Sequence, residues 1–128
     1  MEFDALSTHY LPVEEHAKRG GSEWDAMIEG RWGELGWDDP EVFRSRVQCT
    51  IDRIIEQHPG QRVVAVCHGG VINVTLAAVL GIDRLLWFAP GYTSLNRVIA
   101  SRNGLRGVIS INELAHLEAS REAAIPFL

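Results

Sequence analysis

The chain has 128 residues, 46% of them hydrophobic and 23% charged, which predicts one soluble globular domain with a sizeable buried core. The net charge of −5 argues against a nucleic-acid or anionic-membrane partner, because both select basic patches. The first residues lack the basic and apolar segments of a signal peptide, and the longest apolar stretch, residues 71–80, is too short to span a membrane.

The two cysteines are predicted to be buried small side chains and not a disulfide. Cys49 falls within a helical pattern, and Cys67 ends an apolar run. A disulfide framework is not expected in a chain of this composition, so a reducing compartment fits. Together with the missing signal peptide, this predicts a cytoplasmic protein.

The first third of the chain is acidic and contains one short predicted helix. Ser22 and Asp25 resemble a capping box that would begin this helix, and Gly30 would end it. Residues 32–37, WGELGW, form a glycine-broken aromatic loop, interpreted either as a packed satellite cluster or as part of a substrate pocket. The acidic residues predict a solvated face and no metal site, because no histidine lies beside them at ligand spacing.

The best helix signal begins at Asp39-Pro40, with an acidic N-cap and proline at the first helical position. His58-Pro59-Gly60 would end this helix. The spacing of its apolar residues predicts one face packed on the core. That stripe comprises Phe43, Val47, Ile51, Ile54 and Ile55.

The strongest functional signal is the order strand, histidine, glycine pair, helix. Residues 62–67, RVVAVC, are typical of a buried parallel strand, and His68 follows at its carboxyl end, where open α/β sheets bind ligands. Gly69 and Gly70 allow a sharp turn and a close approach to a ligand. The helix predicted over residues 70–80 points free N–H groups at the same spot, which favours an anion. This order predicts phosphate chemistry at His68, with Gly69 offering a backbone N–H.

Other kinds of site find no support. Some phosphatases use a nucleophilic cysteine with an arginine six positions later, but the sixth residue after Cys67 is Asn73, which is predicted to face solvent or cap the helix locally. The histidines His9, His16 and His116 have no partner at metal-ligand spacing, so no metal is expected. No dinucleotide-binding, Walker A or nucleophile-elbow motif is present, so no cofactor is expected.

A β-hairpin is predicted in the last third. Residues 94–102 and 105–112 are rich in strand-forming side chains, and Asn103-Gly104 between them is a strong hairpin signal. The polar cluster just before and within the first run is interpreted either as a pocket lining or as a turn with satisfied hydroxyls. That cluster comprises Tyr92, Thr93, Ser94 and Asn96. The resulting α/β order is short of strands, because a doubly wound sheet needs more than one buried parallel strand.

Residues 63–73, VVAVCHGGVIN, resemble the second histidine motif of the histidine phosphatase superfamily, also called phosphoglycerate mutase-like. Residues 80–117 are also similar to the continuation found in bacterial members. The resemblance runs from Glu2 to about Leu117. It implies an α/β chain that forms part of a three-layer α/β/α fold, lacking the N-terminal strands and first helix.

The resemblance also implies a reaction, hydrolysis of phosphomonoesters through a phosphohistidine. In the family an Arg-His-Gly histidine is phosphorylated, a second histidine that aligns with His68 holds the phosphoryl group, and a carboxylate protonates the leaving group. The match places Glu2 at the acid position, with Glu14 and Glu15 as rivals. The resemblance implies that His68 and Gly69 bind the phosphate and that the chain's binding partner is a small phosphorylated substrate.

The departure from the family pattern is that no Arg-His-Gly occurs in the sequence. We therefore expect residues 1–128 to be one N-terminally truncated histidine phosphatase domain whose nucleophile lies upstream of Met1. The alternative is a catalytically inactive module that binds a phosphorylated ligand or a partner, with self-association covering an exposed sheet edge. A mutase needs the same nucleophile and a more enclosed pocket, and no feature favours it.

Overall fold

The computed structural model describes residues 18–117. Lys18 and Arg19 are helical, and three further α-helices and one β-hairpin follow. The helices are α1 (Ser22–Glu29), α2 (Pro40–Gln57) and α3 (Gly69–Leu80). The strands are β1 (Leu95–Ala100) and β2 (Arg106–Glu113), and short 3-10 helices occupy Trp32–Leu35 and Ala115–Leu117. Within residues 18–117, every helix is too short or too polar to cross a membrane.

Helix α1 begins one residue earlier than a serine cap would allow. Gly21 is the N-cap and makes no side-chain cap bond, and its carbonyl accepts a hydrogen bond from the Asp25 N–H at 3.1 Å. The predicted capping box at Ser22 is therefore wrong, because Ser22 already lies in the first turn. The predicted end at Gly30 is confirmed, and Ala26 and Met27 form the buried side of the helix.

Helix α2 follows its predicted signals at both ends. The Asp39 carboxylate accepts a hydrogen bond from the Glu41 N–H at 2.8 Å, and Pro40 is the first helical residue. The helix ends at His58. Phe43 and Val47 lie buried on its inner face. The prediction that Cys49 is buried is wrong, since it lies two residues past Val47 and so points to the opposite, exposed side of the helix.

The hydrophobic core lies where α2 and α3 pack together with the aromatic loop. The Trp32 ring centroid is 5.5 Å from that of Phe43 and 5.6 Å from that of Trp37, and the Trp32 indole N–H donates to the Met27 carbonyl at 2.9 Å. These contacts support the interpretation of residues 32–37 as a packed cluster. The buried core comprises Trp32, Phe43, Val47, Val71, Val74 and Leu85.

The hairpin forms where it was predicted. Its antiparallel register pairs Val98 with Val108 and Ala100 with Arg106, and β2 packs against α3. The Ser101 N–H donates to the Leu105 carbonyl at 2.9 Å, which closes the turn. Gly104 sits in this turn with φ 88°, a left-handed conformation that glycine adopts without steric cost.

The predicted buried strand over residues 62–67 is not formed. In the described part of the chain the one sheet is the two-stranded hairpin, so residues 61–67, hereafter the unpaired segment, have no strand beside them. Its valines are exposed, with Val64 at 87% and Val66 at 94% of their full accessible surface. A β-strand needs a neighbouring strand with which its backbone can form hydrogen bonds. The composition of residues 62–67 favours an extended backbone but does not specify that neighbour.

Candidate functional site

The site is built around His68, the residue that immediately precedes helix α3. His68 is the N-cap of α3, with an extended backbone at φ −82° and ψ 161°. Its carbonyl accepts hydrogen bonds from the Val71 N–H at 3.0 Å and the Ile72 N–H at 3.2 Å, which fixes the histidine against the first helical turn. The imidazole is exposed. The sequence prediction that His68 stands at a helix N-terminus is confirmed, with the helix beginning at Gly69 instead of Gly70.

Gly69 and Gly70 are the first two residues of α3, where backbone N–H groups point out of the helix end. The aligned peptide dipoles place a partial positive charge at the same end, so the position favours an anion beside the imidazole. The space for a side chain at Gly69 is also tight. A Cβ added there would lie 3.2 Å from Cγ of Pro90, which packs over the turn.

Asn73 has a role that the sequence reasoning missed. It is 2% exposed, so the prediction that it faces solvent is wrong. Its side-chain amide makes one local bond, to the Gly69 carbonyl in the first helical turn, and further bonds to the backbone of Trp87 and Phe88. A signal for this was present. The helix is apolar on all sides apart from Asn73 and Thr75, which is typical of a buried helix, and a polar side chain inside such a helix requires hydrogen-bond partners.

The polar cluster before β1 is a tightly bonded turn. The Thr93 hydroxyl donates to the Tyr92 carbonyl at 2.7 Å, and the Asn96 amide donates to the Ser94 hydroxyl at 3.2 Å. Thr93 has φ 57°, and its carbonyl bonds to the His116 ring at 2.9 Å. These bonds favour the interpretation as a turn with satisfied hydroxyls. Tyr92 alone of the cluster leaves a large side chain exposed.

Cys67 has the properties of a structural thiol. It is half-buried beside the core, and burial raises the pKa of the Cys67 thiol. A raised pKa keeps the thiol protonated, whereas a nucleophilic cysteine needs the thiolate. Among residues 18–117, no three His, Cys, Asp or Glu side chains come close enough to hold a metal ion.

The other predicted site residues lie outside the described range. Glu2, its rivals Glu14 and Glu15, and the histidines His9 and His16 all precede residue 18. The structure therefore brings together His68 and Gly69, with Asn73 and Pro90 supporting their turn.

A broad concavity of about 3040 Å³ opens beside the site, and its lining includes His68, the unpaired segment and β1. Pockets for small molecules are about 300–1,000 Å³. The concavity is therefore too large to enclose one small ligand, and an anion at the helix end would occupy a small part of it.

The family model described as histidine phosphatase superfamily (branch 1) matches residues 1–112 of the 128-residue chain. This match covers the His68 turn, α2, α3 and most of the hairpin. The chain belongs to the histidine phosphatase superfamily. Its helices and small antiparallel sheet are consistent with an α/β fold of that family, and membership supports a phosphatase- or mutase-like function. No curated protein and no solved structure matches the chain.

Proposed function

We propose that this chain supplies the second histidine of a phosphomonoester hydrolase that works through a phosphohistidine. The observation that carries the proposal is the exposed His68 imidazole at the N-terminus of α3, beside the amides of Gly69 and Gly70. Both kinds of group can donate a hydrogen bond to a phosphoryl oxygen bound at the helix end. The substrate is a small phosphorylated molecule, and the reaction needs no cofactor.

The proposed chemistry has two displacements at phosphorus. A histidine nitrogen forms a bond to phosphorus as the ester oxygen leaves, and that oxygen takes a proton from a carboxylic acid, a role we assign to Glu2. Water then displaces the histidine nitrogen and gives a proton to the Glu2 carboxylate, which restores the acid as inorganic phosphate is released. In both steps negative charge on the equatorial oxygens is stabilised by His68, the Gly69 amide and the helix dipole.

The attacking histidine is not among these 128 residues in the family's motif. The sequence has no Arg-His-Gly, and we propose that polypeptide outside it provides the nucleophile. His68 itself is assigned to holding the phosphoryl group and not to attack.

Phosphate binding tests the anion site. His68→Ala is expected to weaken the binding of inorganic phosphate roughly 10- to 100-fold, because a hydrogen bond to a charged group is lost. Titration followed by the imidazole and glycine amide resonances measures the affinity. His58→Ala is the matched control, since His58 ends α2 and its ring bonds to the Ile54 carbonyl at 2.8 Å. Equal phosphate affinity in the two variants would contradict the site.

Turnover tests the location of the nucleophile. The purified 128-residue chain is expected not to hydrolyse p-nitrophenyl phosphate, because no phosphohistidine can form on an Arg-His-Gly that the chain lacks. A colorimetric assay at high enzyme concentration measures this. Hydrolysis that disappears in His68→Gln would show that the chain carries its own nucleophile and would overturn this part of the proposal.

A second candidate is a binding module without catalysis, which associates with a polypeptide through the unpaired segment. The exposed Val64 and Val66 favour it, because apolar side chains on an extended segment without a neighbouring strand suit pairing with another chain. In this candidate a second copy of the chain covers the segment. A chain that self-associates but binds no phosphate would favour this second candidate. Phosphate affinity that is unaffected by self-association would favour the first.

A further inference from the structure

We infer that Asn73 is a positioning residue that aims the Gly70 N–H at the phosphoryl group, an inference that rests on the proposed function. Asn73 lies one helical turn after Gly69, so both residues share one face of α3. It is the one buried polar residue within residues 18–117. It also faces the chain segment that leads to Pro90.

Every hydrogen-bonding position of the Asn73 amide is occupied. Its nitrogen donates to the Gly69 carbonyl at 2.9 Å and to the Phe88 carbonyl at 3.0 Å. Its oxygen accepts from the Trp87 N–H at 2.9 Å and from the Phe88 N–H at 3.1 Å. A primary amide has two donors and two acceptor sites, so this one is fully used. A fully satisfied buried network fixes a single arrangement of the groups that it joins.

The hydrogen bond from Asn73 to the Gly69 carbonyl affects the anion site through the rigid peptide group between Gly69 and Gly70. The Gly69 carbonyl and the Gly70 N–H belong to the same peptide plane, which is flat and trans. Holding the carbonyl toward Asn73 therefore sets the direction of the Gly70 N–H, which points the opposite way, out of the helix end. Gly70 has no side chain that could restrain this peptide by packing. The Gly69 carbonyl is the helical acceptor of the Asn73 backbone N–H, and the Asn73 side chain adds a second bond to the same oxygen, which narrows the directions open to this peptide.

The bonds to Trp87 and Phe88 hold the second side of the turn. The Trp87 indole N–H also donates to the Asn73 backbone carbonyl at 3.2 Å. Asn73 therefore bonds to both the backbone and the side chain of Trp87. Two residues further on, Pro90 packs over Gly69. Asn73 thus links the helix end and the loop above it into one body, which is what a preorganised oxyanion site requires.

The test compares inorganic phosphate binding in three variants of the full chain. Asn73→Leu removes all four side-chain bonds and keeps a side chain of similar size, and Asn73→Ala removes the same four bonds without adding apolar atoms. Neither variant places a charge near the bound phosphate. Thr75→Val is the matched control, because it removes a hydroxyl bond to the Val71 carbonyl at 2.8 Å in the same helix and leaves the Gly69 peptide untouched. All variants are measured at one temperature, at which circular dichroism shows each of them to be folded.

Both Asn73 variants are expected to bind phosphate roughly tenfold more weakly, with a smaller phosphate-induced shift of the Gly70 amide resonance, because one aligned charge-assisted bond is lost. Thr75→Val is expected to match the unchanged protein. Unchanged affinity and Gly70 shift in both Asn73 variants would overturn the inference alone. A protein that binds no phosphate before any substitution would overturn the proposed function, and the inference with it.

Discussion

Replacing Phe43 by alanine is expected to lower the free energy of unfolding by about 3–5 kcal/mol. Phe43 is 3% exposed and lies against Trp32, with the Arg46 guanidinium 5.9 Å from its ring centroid. The substitution removes a buried ring and leaves a cavity between α2 and the aromatic loop. Because domains of this size are stable by roughly 5–15 kcal/mol, the loss is a large share of the total. Urea unfolding followed by circular dichroism measures it.

The neighbouring residue provides the control. Val42 is 56% exposed on the same helix, so Val42→Ala removes little buried surface and is expected to change stability by about 0.5 kcal/mol or less. If the two variants unfolded at the same urea concentration, the core would not lie where α2 meets Trp32. The comparison isolates burial, since both substitutions introduce alanine into the first half of one helix.

The double variant Val64→Thr with Val66→Thr is expected to weaken self-association slightly more than tenfold. The unpaired segment presents open backbone groups and exposed valines, which together form a template for another chain. Each substitution exchanges one methyl group for a hydroxyl, and two buried methyl groups are worth about 1.6 kcal/mol. Sedimentation velocity over a concentration series measures the effect, and threonine retains the β-branched shape.

Val42→Thr controls for the change of residue type, because it makes the same substitution at an exposed helical position away from the unpaired segment. It should leave association unchanged. A monodisperse monomer with a sharp two-state thermal transition in the unchanged protein would contradict the expectation that the segment drives association.

Local signals predicted the elements that depend on local contacts. The α2 boundaries follow from the Asp39 cap and Pro40, which act within one helical turn. The hairpin follows from Asn103-Gly104, and the His68 turn follows from a histidine and two glycines before an apolar run. In each case the residues that decide the structure lie within a few positions of one another, so the pattern alone was sufficient.

Two predictions failed because they depend on hydrogen-bonding partners that are distant in sequence. The segment at residues 62–67 has strand composition, but a ladder needs a neighbour that composition does not specify. Asn73 was misplaced because its partners Trp87 and Phe88 lie in another part of the chain. The error at Ser22 was different, since Gly21 took the cap position one residue earlier. Glu2, assigned through the resemblance, remains a prediction.

The contact between Pro90 and Gly69 constrains how this site can change in evolution. A side chain at position 69 would meet the proline ring at 3.2 Å, so alanine there requires the ring to shift by a few tenths of an ångström. The acceptability of one substitution then depends on the residue already present at the other position. The residue at position 90 therefore affects which substitutions are accepted at position 69, and the order in which the two positions change matters.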